Sequence, residues 1–168
     1  MIFTAKPFDE LTTYELYEIM RARAKVFVGE EKILYPDADG LDCQCVHVFS
    51  MTPDEYIEAY LRIYKADGKP GVAQFGRVLT IHHGRGDGAR LMCFAEKAAS
   101  EKFGAKEIQM DAQKTAEGLY RRLGYETVSD DFIEAGIVHV KMQKSWYRSF
   151  RQLRIYGEAH GLYQRQEK

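Results

Sequence analysis

Residues 77–99 read RVLTIHHGRGDGARLMCFAEKAA, a half-apolar run that enters a glycine-rich turn and leaves it as a helical pattern. Glycine at 84, 86 and 88 lets the backbone turn sharply and come close to a ligand. Leu91, Phe94, Ala95 and Ala98 then recur at helical spacing, which predicts a core-packed helix starting near Gly86 to Gly88. The first amides of such a helix lack partners within it, and its positive dipole end adds to His83, Arg85 and Arg90. The turn is therefore suited to a phosphate or pyrophosphate. The glycines follow GxGxG, neither the GxGxxG dinucleotide fingerprint nor a Walker loop with GK[ST], so neither of those sites is indicated. Taken alone, the glycines fit equally a connection that binds nothing.

Upstream, IFTAKPF over residues 2–8 suits a short strand, and Thr12 with Glu15 forms the sequence signature of a capping box. Leu16, Ile19, Met20, Arg23, Ala24 and Phe27 share one face of the helix that follows, which sets an arginine in an apolar stripe. A buried guanidinium requires an anion, either an acidic residue in a structural ion pair or a group on a substrate or cofactor. Glu30 to Asp42 is dense in acids and broken by Pro36 and Gly40, and reads as a solvated loop or as a holder of an amine. A calcium loop is not indicated, because Phe49 or Ser50 falls where the terminal acid belongs. Cys43, Cys45 and His47 alternate as on one face of a strand; they fall short of a standard zinc set and read as buried free thiols beside a histidine. Tyr56 to Tyr64 and Val72 to Ile81, joined by a turn at Asp67 to Gly71, read as an antiparallel pair.

Downstream, a strand is expected over Ala105 to Asp111, a short helix over Thr115 to Leu123, and strands over Gly124 to Val128 and Phe132 to Met142. The sheet is mixed and the class α/β or α+β. From Ser145 onward, Trp146, Phe150, Leu153 and Gly157 lie on one helical face, with Arg148, Arg151 and Arg154 around the other side. Lys141 to Lys168 holds seven basic and two acidic residues, a net of +5. A basic amphipathic helix can meet a membrane or an acidic partner; packing on its own domain or on a second subunit, as in a homodimer, is the simpler expectation.

With 168 residues and 45% hydrophobic content, the chain is expected to form a domain with a real core over 1–144 and a helical extension over 145–168. Lys and Arg number 24 against 25 Asp and Glu, so the overall balance gives no electrostatic case for nucleic acid or membrane binding. No apolar run reaches membrane-spanning length, and the opening residues lack the pattern of a signal peptide. An odd count of three cysteines gives no disulfide framework, and a cytoplasmic location is expected.

The element Ala116-Glu117-Gly118-Leu119-Tyr120-Arg121-Arg122-Leu123-Gly124-Tyr125-Glu126 is a short helix closed by glycine and leading into a strand. Together with the turn His83-Gly84-Arg85-Gly86-Asp87-Gly88, it resembles the GCN5-related N-acetyltransferase (GNAT) superfamily, whose cofactor motif is usually Q/R-x-x-G-x-G/A. Here histidine stands first. The N-terminal half is similar to the ElaA-type group, through Arg23 to Glu30, Tyr35 to Asp42, His47, Tyr60 to Ile63, Arg77-Val78 and Glu134 to His139.

The resemblance implies a mostly antiparallel central sheet flanked by helices, with the C-terminal amphipathic helix as an addition. It implies acetyl-CoA as cofactor, its pantetheine arm between two strands that splay apart. Val78, Leu79, Thr80 and Ile81 would bind that arm, and the pyrophosphate would sit on the amides of Arg85, Gly86, Asp87, Gly88, Ala89 and Arg90. Gln113 and Tyr120 would complete the cofactor site. A primary amine of a small molecule or peptide would attack the thioester directly, with a backbone N–H near Leu79 stabilising the oxyanion. Tyr120 matches the position that protonates the departing thiolate, and His139, Glu58 and Asp111 are candidates for the general base, with His139 preferred. Arg23, Phe27, Asp37, Asp39 and Asp42 would flank the acceptor. No metal is implied. An acyl-homoserine-lactone-synthase-like enzyme and a non-catalytic acyl-CoA-binding module are the rival readings; the glycine turn argues against the first.

Overall fold

A computed structural model describes residues 1–33 and 36–146. Strand β1 (Phe3–Pro7) leads through a single 3-10 turn to helix α1 (Thr13–Arg23), and β2 (Val46–Met51), β3 (Ile57–Lys65) and β4 (Val72–Thr80) follow. Helix α2 (Asp87–Phe103), β5 (Glu107–Gln113), α3 (Glu117–Arg122), β6 (Glu126–Thr127), β7 (Phe132–Glu134) and β8 (Ile137–Ser145) complete the described chain. The expected C-terminal helix lies, from residue 147 on, outside the described residues.

The eight strands form one sheet in the order β1-β2-β3-β4-β5-β8-β6, with β7 also paired to β8. All pairs are antiparallel except β4 with β5. That exception follows from connectivity: α2 carries the chain back across the sheet, so β5 starts at the same end as β4.

Alternation along β3 explains the two layers of helix. Ala59, Leu61 and Ile63 pack with Leu91, Met92, Ala95 and Ala99 of α2, whereas Tyr60 packs with Ile19, Ala22, Val26 and Phe27. Successive side chains of a strand point to opposite faces, so α1 and α2 cover opposite sides of the sheet. The capping box forms as its residues require: Glu15 N–H donates to Thr12 Oγ1 at 3.1 Å and Thr12 N–H to Glu15 Oε2 at 2.8 Å. Helix α1 then widens into a π-helical segment over Ala24–Glu30, which carries Val26 and Phe27 into the core.

Three local expectations are corrected. Cys43 is exposed, because residues 42–44 form a 3-10 turn and the strand begins at Val46; only Cys45 and His47 are buried. Phe132 to Met142 is not one strand, since Ala135 and Gly136 both take positive φ and fold it into the β7–β8 hairpin. The strand after α2 runs two residues further than expected, to Gln113.

Candidate active site

The site begins with a bulge. In the β3–β4 pair, Tyr60 faces Leu79 but Arg62 faces Gly76, so β4 carries one extra residue there, and Arg77 takes φ 55°. The side-chain parity of β4 reverses across it: Ala73 and Phe75 lie on the α2 face, yet Leu79 lies with the α1 cluster. Pairing between β4 and β5 stops at Gln74 and Gln109, although the strands continue to Thr80 and Gln113. Past that point the two strands part. The cleft of about 450 Å³ between them is lined by Val78, Leu79 and Thr80 on one side and Met110 to Gln113 on the other.

The cleft opens onto the start of α2. Gly84 and Gly86 take φ of 77° and 78°, and Gly86 caps the helix without a side-chain hydrogen bond. The first amides of α2 are thus left to an anion. Gly88 is tight for a different reason, because a Cβ there would stand 3.3 Å from Leu119 Cδ2 of α3. Arg90 donates to Arg85 O at 3.3 Å and stands 3.8 Å from Asp87, leaving most of its guanidinium exposed beside the turn.

Tyr120 of α3 is 6% exposed, lines the cleft, and has no hydrogen-bond partner for its hydroxyl among the described residues. Burial, reinforced by the negative charge of Glu31, pushes its pKa up to about 12, so the phenol keeps its proton through the neutral range. His139 of β8 lines the same cleft, 8% exposed, with Phe132 stacked on it. Its Nδ1 donates to the Ile137 carbonyl at 2.9 Å, which leaves Nε2 with its lone pair and without a partner among the described residues.

The expected substrate residues divide. Phe27, Asp37 and Asp39 line the cleft; Arg23 and Asp42 lie behind its wall. Arg23, wholly buried, donates from Nε to Asp37 and from Nη1 to Asp42, each at 2.7 Å. Arg62 binds Asp39 through both Nη atoms and reaches Asp42 at 3.0 Å. Arg77 donates to Asp37 at 2.6 Å and to Asp39 at 3.2 Å. The result is a network of three arginines and three aspartates that ties the 36–42 loop to β3 and β4. Burial works against the Asp42 carboxylate, but its arginine hydrogen bonds outweigh it and hold the pKa below the ordinary range. For Asp39 the bond from Arg62 dominates, with the same result. These acids are spent on structure.

Glu58 does not line the cleft. Its carboxylate accepts from Ser50 Oγ at 3.2 Å, beside the bulge between β2 and β3, so it is withdrawn as a base candidate. Asp111 lines the cleft but pairs with Lys141 at 3.0 Å. Two further acids also line it, Glu31 and Glu134. Glu31 belongs to the acidic run read as a solvated loop or amine holder, and Glu134 to the Glu134 to His139 stretch of the resemblance, but the sequence singles out neither as a site residue. Among the described residues no group of His, Cys, Asp and Glu is arranged to hold a metal ion, and no helix is long and apolar enough to cross a membrane.

Comparison with known proteins agrees with this geometry. A family model described as an acetyltransferase (GNAT) domain matches residues 47–146. A UPF0039 protein of Schizosaccharomyces pombe is 33% identical over 144 residues, 84% of this chain and 95% of that protein. Protein ElaA of Escherichia coli is 30% identical over 140 residues, 81% of this chain and 91% of its own; its crystal structure superposes with a TM-score of 0.79 over 86% of this chain and 99% of that one. An acyl-CoA N-acyltransferase from Pseudomonas aeruginosa, 31% identical, also reaches 0.79, over 86% of this chain and all of its own.

Proposed function

The chain belongs to the GNAT acetyltransferases, in their ElaA-type group, and from that premise we propose that it moves an acetyl group from acetyl-CoA to a primary amine. The observation that carries this reading is the parting of β4 and β5 directly above the uncapped start of α2, with Tyr120 in the cleft between them. A slot between strands accepts an extended arm, and a helix start flanked by Arg85 and Arg90 accepts a pyrophosphate, so the residues present fit the cofactor.

When bound, acetyl-CoA supplies a thioester carbonyl and a thiol leaving group. The amides of Arg85 to Arg90 hold the anionic end, and the backbone of Val78 to Ile81, with Gln113, holds the arm. An amine attacks only when neutral, so His139 Nε2 takes the proton that the acceptor's ammonium gives up, directly or through water. As the C–N bond forms and the C–S bond breaks, a backbone N–H near Leu79 steadies the charge on oxygen. Tyr120 would give its proton to the departing sulfur, and the second proton that the new amide nitrogen sheds would return to the Tyr120 oxygen, directly or through water; a phenol held protonated by burial is suited to that step.

A thermal-shift series with acetyl-CoA, CoA, NAD and ATP tests the reading, since a ligand of the native state stabilises it as ln(1 + [L]/Kd). Selective shifts with acetyl-CoA and CoA, followed by CoA release on adding an amine, are expected. Selective shifts without release under a broad amine panel would favour a binding module, and no shift with either CoA compound would end the assignment.

A further inference from the structure

The charges of the cleft do not cancel. Its arginines, Arg62 and Arg77, are held by aspartates, and Asp111 is matched by Lys141. Glu31 and Glu134 remain, lining the same cleft with no cation at ion-pair distance among the described residues. Glu31 is half-buried, accepts from Gln113 Nε2 at 2.8 Å, and acts electrostatically on Tyr120, which sets it at the depth of the proton donor. Glu134 is exposed at the end of β7, where the hairpin turn holds it at the rim. With them in the cleft are two side chains more than nine-tenths buried, Tyr120 and His139, whose hydroxyl and Nε2 have no hydrogen-bond partner among the described residues. Uncompensated carboxylates at two depths, around a hydroxyl and a ring nitrogen left without partners on largely buried side chains, favour a ligand that is cationic at both ends.

We propose that the acceptor is a short diamine or polyamine, its reacting nitrogen beside Glu31, Tyr120 and His139 and its distal ammonium paired with Glu134. This rests on the acetyltransferase reading and narrows its substrate class. A monoamine leaves Glu134 unmatched, and an ω-amino acid sets a carboxylate against it. The arginines that could welcome an anionic tail are already occupied by aspartates.

Three acceptors with the same reacting amine and different far ends separate these cases: 1,4-diaminobutane, butylamine and 4-aminobutanoate, compared by kcat/KM at saturating acetyl-CoA. The diamine is expected to exceed butylamine by about tenfold, the scale of one charge-assisted contact, with 4-aminobutanoate lowest. Glu134→Gln is expected to collapse the diamine-to-butylamine ratio, and Glu134→Lys to move preference toward 4-aminobutanoate. Without acetyl-CoA, 1,4-diaminobutane should raise the melting temperature of the wild type more than butylamine at equal ionic strength, and the difference should vanish in Glu134→Gln. Equal use of butylamine or 4-aminobutanoate, no turnover of the diamine, or a ratio unmoved by Glu134→Gln overturns the second-ammonium site. Where acetyl-CoA and CoA still shift melting, such a failure leaves the acetyltransferase reading standing; where neither does, that reading fails first and the inference falls with it.

Discussion

Arg23 Nη1 and Asp42 Oδ1 meet at 2.7 Å with the guanidinium wholly shielded from solvent, one link in the set that ties the 36–42 loop to the sheet. Removing one member of a buried pair strands the other charge, which costs more than the pair itself contributes. Arg23→Met is therefore expected to destabilise the fold by about 3–5 kcal/mol in urea denaturation, and Arg23→Met with Asp42→Asn to recover part of the loss. A single-variant cost below about 1 kcal/mol would show the network to be solvated and the loop held by other means.

Tyr120 separates packing from chemistry. Its hydroxyl has no partner among the described residues, so Tyr120→Phe removes no hydrogen bond and should leave the melting temperature within a degree or two. If the hydroxyl protonates the leaving sulfur, kcat should fall about 100-fold while CoA affinity stays nearly constant. A variant with unchanged kcat would return Tyr120 to a packing role, edge-on to Tyr125.

Some of this site could be read from the residues and some could not. The stripe from Leu91 to Ala98 announces α2, and Thr12 with Glu15 announces α1, because capping and helical periodicity are local properties. The bulge at Arg77 is not local. VAQFGRVLT breaks its alternation at Val78-Leu79, but a doubled apolar pair does not specify a bulge, and Arg77 at φ 55° is held by bonds to Asp37 and Asp39, about 40 residues away in sequence. The same distant contacts convert the acids of the loop from apparent substrate ligands into structural partners. Asp42, drawn inward by Arg23 and Arg62, also shortens the strand and leaves Cys43 exposed.

Gly86 tests the start of α2. A Cβ there meets nothing within 4 Å, so Gly86→Ala is opposed only by the backbone, at φ 78°. The strain is about 1–2 kcal/mol and falls on the amides proposed to hold the pyrophosphate. CoA affinity, read as concentration-dependent thermal shift, should weaken about tenfold. Affinity equal to wild type would mean that the left-handed conformation at residue 86 is not needed for the cofactor.

His47 sets the acid response of the α1 face. Fully buried, it accepts from the Tyr60 hydroxyl on Nδ1 at 2.9 Å and donates from Nε2 to the Asp42 carbonyl at 3.0 Å, with Phe8 against the ring. Burial lowers its pKa, and the charges of Arg23 and Arg62 lower it further, against the raising effect of Asp42. The unfolded chain takes up this proton near pH ~6.5 while the folded chain still refuses it, so the unfolded state binds more protons in that window. Stability is then full above about pH 6.5 and declines as pH falls toward the folded pKa, by at most ~1.4 kcal/mol per pH unit for one group. Urea denaturation between pH ~7.5 and ~5 should show that slope in the wild type and a flatter one in His47→Gln, whose amide keeps hydrogen-bonding capacity but does not titrate. Identical slopes would assign the acid loss to other groups and leave His47 as a hydrogen-bonded spacer between Tyr60 and the Asp42 turn.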